Sequence, residues 1–238
     1  MELSYYELFY FLLIMTCIIY IILGSRLIYT KDYRDMTRNF LHYNDINTGD
    51  LFLVSYSNVD SITSNSMMGL KFTHAAICAR EGTNLYIYEL ANYFEEITGF
   101  IKMPFSEWLK YNKNTLILYN RLNIVKDSII KRKYLSIMFD KFHKKYKTDN
   151  VFNMVDFALR YINPEPEYSK LDFAEKNYAC YEVILSMMKD VGIILDLKST
   201  ENYTTEDMIG MRNFKLRPSF DYTEHFIADI NSFSFLSD

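Results

Sequence analysis

The chain has 238 residues, 50% of them hydrophobic and 24% charged, a composition that excludes a disordered polymer and demands a sizeable core. A net charge of -4 argues against a nucleic-acid-binding protein, which needs a broad basic surface to replace counterions along phosphates. Three cysteines, Cys17, Cys78 and Cys180, have neither disulfide-framework nor metal-ligand spacing, which favours a reducing compartment.

From Leu8 to Ser25, 18 residues run without a charge, nearly enough for a helix to cross a ~30 Å hydrocarbon core. Tyr5, Tyr6 and Tyr10 stand where an aromatic belt would lie. Glu2 and Glu7 precede the run, and Arg26, Lys31, Arg34 and Arg38 follow it. The positive-inside rule then sets the large C-terminal part on the cytoplasmic side. The start offers no basic n-region or small-residue cleavage site, so a single-pass anchor is expected and not a cleaved signal peptide. The organisation read from the sequence is an anchor over 1–28, a charged connector over 29–47 and one domain over 48–238.

Thr48-Gly49-Asp50 is a turn signal, followed by a strand-like run from Leu51 to Tyr56. Phe72–Ala79 and Leu85–Leu90 are further strands, with Arg80-Glu81-Gly82-Thr83 between them as a hairpin loop. Pro104–Tyr111 reads as a short helix with Ser106 as a cap, and Thr115–Asn120 as another strand. Ile130, Tyr134, Met138 and Phe142 repeat at helical spacing within an amphipathic helix over about 125–146. Two more helices are expected, over Asn153–Ile162 before Asn163-Pro164 and over Tyr178–Val191 before Gly192. Strands followed by helices, without strict alternation, predict an α+β domain with helices on a mostly antiparallel sheet.

Cys180 lies at the start of the last predicted helix, where free N–H groups and the dipole favour a thiolate. Taken alone, a free cysteine is more often an inert core residue. His74 sits in a strand and is followed by Ala75 and Ala76, small residues that leave room for another group. If Arg80–Thr83 form a four-residue loop, Ala79 faces Asn84, and antiparallel pairing sets His74 opposite Glu89 on one sheet face. That would be an imidazole with an orienting carboxylate; a five-residue loop would shift the register. Cys78 shares the face of His74 but lies four residues away at ~3.3 Å each. Cys17 falls in the membrane run, and His42, His143 and His225 are assigned surface or packing roles, with His225 the reserve base. No zinc, EF-hand or glycine-rich phosphate motif occurs, so neither a metal nor a nucleotide cofactor is expected. Lys126, Lys131, Arg132, Lys133, Lys141, Lys144, Lys145 and Lys147 make the first long helix basic, as a solvated face or a surface resting on anionic headgroups.

In order, Thr48-Gly49-Asp50-Leu51, Thr73-His74-Ala75-Ala76-Ile77, Tyr86-Ile87-Tyr88-Glu89-Leu90 and Tyr178-Ala179-Cys180-Tyr181-Glu182-Val183 resemble the circularly permuted NlpC-type papain-like superfamily, in its YiiX-like and poxvirus-type branch. Lys145-Tyr146-Lys147-Thr148-Asp149 and Tyr203-Thr204-Thr205-Glu206-Asp207-Met208 are similar to segments that flank the cysteine helix there. The resemblance covers about residues 46–210. It implies a permuted papain-like fold, in which histidine precedes cysteine, with Cys180 as nucleophile, His74 as base and Glu89 as third polar residue. The sequence departs from the pattern at Tyr181, where the family often has serine, and carries Ala76 where a glycine is common.

The expected function is that of a membrane-anchored cysteine hydrolase. It would act on an amide or ester carbonyl of a peptide or acyl lipid through an acyl-enzyme, with the backbone N–H of Cys180 helping to bind the oxyanion. Leu195, Leu197, Phe214 and Phe220 would line an apolar pocket or pack in the core. The alternatives are an inactive membrane-tethered interaction module of the same fold and an acyltransferase using the same residues. The resemblance, with a composition like that of AT-rich genomes, also implies a large DNA virus and a virion membrane.

Overall fold

A computed structural model describes residues 36–56, 71–93, 97–113, 115–125, 129–148, 167–174 and 176–229. The membrane run over 8–25 and the helix expected over 153–162 lie outside these residues. Among the described residues, no helix is long and apolar enough to cross a membrane.

The nine strands described are β1 (Arg38–Phe40), β2 (Leu51–Ser55), β3 (His74–Glu81), β4 (Asn84–Tyr93), β5 (Ile97–Pro104), β6 (Leu116–Ile124), β7 (Ile194–Asp196), β8 (Lys215–Leu216) and β9 (Phe220–Asp229). Three α-helices accompany them: α1 (Phe105–Asn112), α2 (Ile129–Lys145) and α3 (Cys180–Asp190). Seven strands form one sheet in the order β1-β9-β6-β2-β3-β4-β5, and β7 and β8 form a separate pair. Every pairing is antiparallel except β1 with β9. The chain is thus a mixed α+β protein built on a mostly antiparallel sheet.

Both faces of the sheet are apolar, and the period of two along each strand distributes the side chains. On one face Leu51, Leu53, Ala75, Ile77 and Ala79 meet Leu135, Phe139 and Phe142 of α2 and Val183, Ile184 and Met187 of α3. On the other, Phe52, Val54, Ala76 and Cys78 meet Phe105, Trp108 and Leu109 of α1. Full burial of each large apolar side chain contributes about 1.5–3 kcal/mol, and the alanines of β3 let helices approach the centre of the sheet closely.

Several elements differ from expectation. Arg38–Phe40, within the stretch read as a connector, form an edge strand, and Leu41 and Ile46 beyond it are buried. The strands β5 and β9 are additional. Ser106 does not cap α1: the cap position is Pro104, and no side chain bonds to the cap. The hairpin between β3 and β4 is tighter than the four-residue loop, because Glu81 pairs with Asn84 and only Gly82 and Thr83 make the turn, with φ +63° at Gly82.

The Thr48-Gly49-Asp50 motif is a buried clamp. Asp50 accepts from the backbone N–H of Asn47 (2.7 Å), the backbone N–H of Leu122 (2.8 Å) and the Tyr119 hydroxyl. Gly49 has φ +95°, and a Cβ there would lie 2.3 Å from the Leu122 side chain, so glycine is required on both conformational and steric grounds. Its N–H donates to the Cys78 carbonyl (2.8 Å) and its carbonyl accepts from the Tyr222 hydroxyl (2.6 Å). The motif therefore ties β2 to β3, β6 and β9.

Candidate active site

His74 opens β3 and is paired with Val54 of β2. The approach to it is fixed by the segment over 205–206. Glu206 accepts from the backbone N–H groups of Lys71 (2.6 Å) and Phe72 (3.2 Å), and the Thr205 hydroxyl donates to the Phe72 carbonyl. The imidazole Nε2 donates to Glu89 Oε2 at 2.6 Å. The register that brings them together is not the expected one. Ile77 pairs with Tyr88 and Ala79 with Tyr86, so Glu89 lies diagonally across from His74, two residues from the directly opposite position. Shortening the loop by two residues slides the pairing by two and keeps both side chains on one face, whereas a slip of one would have parted them.

Glu89 is fully buried on β4, and its Oε2 also accepts from the indole N–H of Trp108 on α1 at 3.0 Å. Asn112, one turn further along α1, donates to the Trp108 carbonyl (2.9 Å) and to the Tyr93 hydroxyl (3.1 Å), and accepts from the Tyr56 hydroxyl (2.8 Å). The Tyr56 ring leans on His74 with centroids 5.5 Å apart. Trp108, Asn112, Tyr56 and Tyr93 were not singled out from the sequence; the one available signal was that Trp108 is the chain's single tryptophan.

Cys180 is the first residue of α3. The helix starts there because Ala179 is extended and Glu182 reaches back to accept the Ala179 N–H at 2.6 Å. This is half of a capping box, since alanine has no side-chain acceptor to complete it. As a first-turn residue, Cys180 has a backbone N–H with no carbonyl four residues earlier in the helix. Its sulfur accepts from the Ala75 N–H at 3.3 Å and lies 3.7 Å from the Thr73 carbonyl. These contacts, to the residues on either side of His74, hold the thiol close enough to the imidazole to favour its protonated form. With Nε2 committed to Glu89, Nδ1 is the ring nitrogen left to exchange a proton.

Burial alone would push the His74 imidazolium down, but Tyr56, Cys180 and Glu89 outweigh it and hold the group well above its ordinary value. Cys180 and His74 are each 8% exposed and Glu89 is 0% exposed, so the cysteine and histidine keep a narrow edge of exposure while the carboxylate stays dry. An imidazole so placed can accept a thiol proton and keep it as an imidazolium. Tyr181, which follows the cysteine, is 3% exposed and packed in the core with the other residues of α3.

The other candidates lie elsewhere. Cys78 is fully buried, donates to the Asn47 carbonyl at 2.9 Å, and is pushed well above an ordinary thiol by burial. His143 on α2 donates through Nε2 to the Phe100 carbonyl at 3.1 Å, between the Phe100 and Tyr88 rings. His42 is exposed ahead of β2. The reserve base His225 is on β9, separated from β3 by β6 and β2. Leu197 and Phe214 are core residues and Phe220 packs against the core, whereas Leu195 is 40% exposed, which fits packing better than a shared pocket. Among the described residues, no three His, Cys, Asp or Glu side chains are grouped to hold a metal.

No protein-family model matches the chain, and no curated protein matches it. Among solved structures, the metalloprotein YiiX of Escherichia coli O157:H7 (DUF1105) is similar with a TM-score of 0.42 and 11% identity, over 62% of this chain and 67% of that one. The chain itself is an α+β protein that brings a cysteine, a histidine and a glutamate together at one end of its central strands.

Proposed function

We propose that the chain is a membrane-anchored thiol hydrolase of the permuted papain-like, NlpC-type class, working through Cys180, His74 and Glu89. The carrying observation is the His74 imidazole, bonded through Nε2 to a dry carboxylate, with the sulfur of a helix-start cysteine held at the backbone of its two neighbours, Thr73 and Ala75. His74 takes the Cys180 proton, and the thiolate attacks an amide or ester carbonyl. The imidazolium then protonates the departing amine or alcohol, leaving an acyl-enzyme. Water, deprotonated by His74, releases the acid and restores the thiol. Glu89 fixes the tautomer and steadies the imidazolium, and the free N–H of Cys180 offers one donor to the oxyanion. The uncharged run over 8–25, with basic residues after it, supports a single-pass anchor with the domain on the cytoplasmic or virion-interior side.

An electrophilic acyl probe applied to the detergent-solubilised full chain tests the reading. Cys180 should be labelled far faster than Cys78, and His74→Ala should slow that labelling by about 100-fold or more. Equal labelling of the two thiols, or a His74→Ala variant that labels normally, would overturn it.

A further inference from the structure

Helix α2 has two apolar faces, and the core uses only one. Leu135, Phe139 and Phe142 are buried against the sheet, while Ile129, Ile130, Tyr134 and Ile137 are 87%, 80%, 57% and 46% exposed. Val125, just before the helix, is 57% exposed. Ile130, Tyr134, Ile137 and Lys141 fall at spacings of four, seven and eleven residues, so they form one outward line. Scattered exposed apolar residues need no explanation, but a contiguous set on one helix does.

The charge of the helix selects the occupant. In a chain of net charge -4, α2 carries Lys131, Arg132, Lys133, Lys141, Lys144 and Lys145 against Asp140 alone. Isoleucines and a tyrosine among lysines suit the boundary between acyl chains and anionic headgroups, where lysine stems lie along the apolar layer and their ammonium groups reach phosphate. A groove of about 1150 Å³ flanks this line and shares Ile137 and Lys141 with it; six Lys and Arg side chains line it against two acids, Glu81 and Asp140, so it gives headgroups a basic recess. It contains none of Cys180, His74 or Glu89.

The proposed tether can reach this surface. Strand β1 runs parallel to β9 and pairs with its last residues, Arg38 opposite Ile227 and Phe40 opposite Asp229, so the chain heads into β1 from the direction of Phe220, which lies seven residues, or ~23 Å, back along β9. At that end Phe220 pairs with Ile124, and Val125 and α2 follow. The ten residues over 26–35 can span up to ~33 Å when extended, ample to connect an anchor to this end of the sheet.

We infer that the outer face of α2 docks onto the anionic bilayer that holds the N-terminal anchor, fixing the domain's orientation at the membrane. The inference rests on the anchor reading, and one experiment separates the two. The full chain and its Ile130→Trp variant are placed one copy per nanodisc, in zwitterionic or phosphatidylserine-containing lipid with brominated acyl chains. Trp108 is fully buried, so the emission added at position 130 reports on α2. Quenching of that added emission should be at least about twofold greater in anionic discs and should fall back at about 0.5 M salt. Lys133→Glu combined with Lys141→Glu should remove the difference. Co-migration with both disc types but without quenching would overturn docking and leave the anchor standing. Quenching that requires two copies per disc would make the face a self-association surface and also overturn docking. Co-migration with anionic discs alone, with quenching, would uphold docking and reject the anchor; co-migration with neither would reject both.

Discussion

Asp50, in the turn just before β2, and Glu89, on β4, are both 0% exposed carboxylates, and they are held in opposite ways. Asp50 is saturated: two backbone N–H groups and the Tyr119 hydroxyl donate to its two oxygens, with Arg132 3.9 Å away. All of these partners belong to the scaffold. Glu89 directs one oxygen to His74 and Trp108, and its Oε1 has no partner among the described residues. A buried carboxylate that satisfies backbone donors fixes a turn, whereas one aimed at an imidazole that itself faces a thiol is arranged for proton handling.

Exchanging the acids tests this contrast most severely. Glu89→Gln should lower the Cys180 labelling rate by about 1000-fold, or about 4 kcal/mol of barrier, because an amide donor opposite Nε2 enforces the wrong tautomer. Its melting temperature should stay close to that of the parent. Asp50→Ala should do the reverse, costing about 3–5 kcal/mol in urea unfolding as three buried donors lose their acceptor, with labelling per folded molecule unchanged. A Glu89→Gln variant that unfolds while keeping its labelling rate would erase the distinction.

The middle of the sheet and all three described helices are legible in the sequence, because β2, β3, β4 and β6 are strongly apolar and Gly192 closes the turn after α3. Strand β1 is not, since its three residues are exposed and carry no apolar pattern. Nor is β5, where Gly99, with φ +97°, and Lys102 break the apolar run, nor β9, whose charged and half-exposed residues alternate imperfectly. The His74–Glu89 contact was anticipated from a loop two residues too long, and it stands because side chains in a strand alternate with period two. Nothing local placed Trp108 beside Glu89; that proximity arises when α1 folds back across β4.

The two centres should also separate by pH. Burial pushes Asp50 up from 3.8 to about 6, against its hydrogen bonds and Arg132. A group raised in the folded state stabilises fully below its unfolded value, and that stability is lost as pH rises through the folded one. The Asp50 contribution, bounded by about 3 kcal/mol for a shift of about two units, should therefore fade between about pH 4 and pH 6. His74, also raised, should contribute below about pH 6.5 and lose that contribution only at higher pH. Urea unfolding from pH 4 to 9 should show the lower step missing in Asp50→Asn and the upper step missing in His74→Gln. Loss of both steps in one variant would mean that the centres are coupled.

The smallest and most discriminating change is Trp108→Phe. Trp108 stacks on Phe105 with centroids 5.7 Å apart and tilts against Phe52 at 5.3 Å, contacts that a phenyl ring retains in large part. What is lost is the indole N–H on Glu89 Oε2, so the change separates packing from positioning. Without that donor the carboxylate should concentrate its charge on His74, raising the imidazolium further and moving the pH profile of Cys180 labelling upward by about half a unit to one unit. The labelling rate should fall by about three- to tenfold as the carboxylate gains freedom to rotate, and stability by about 1 kcal/mol. If stability falls while the profile stays in place, Trp108 is a core residue and the orienting unit ends at Glu89. If the profile moves, the machinery extends across the sheet from the cysteine helix to α1, and the carboxylate is held by the layer opposite the one that supplies the nucleophile.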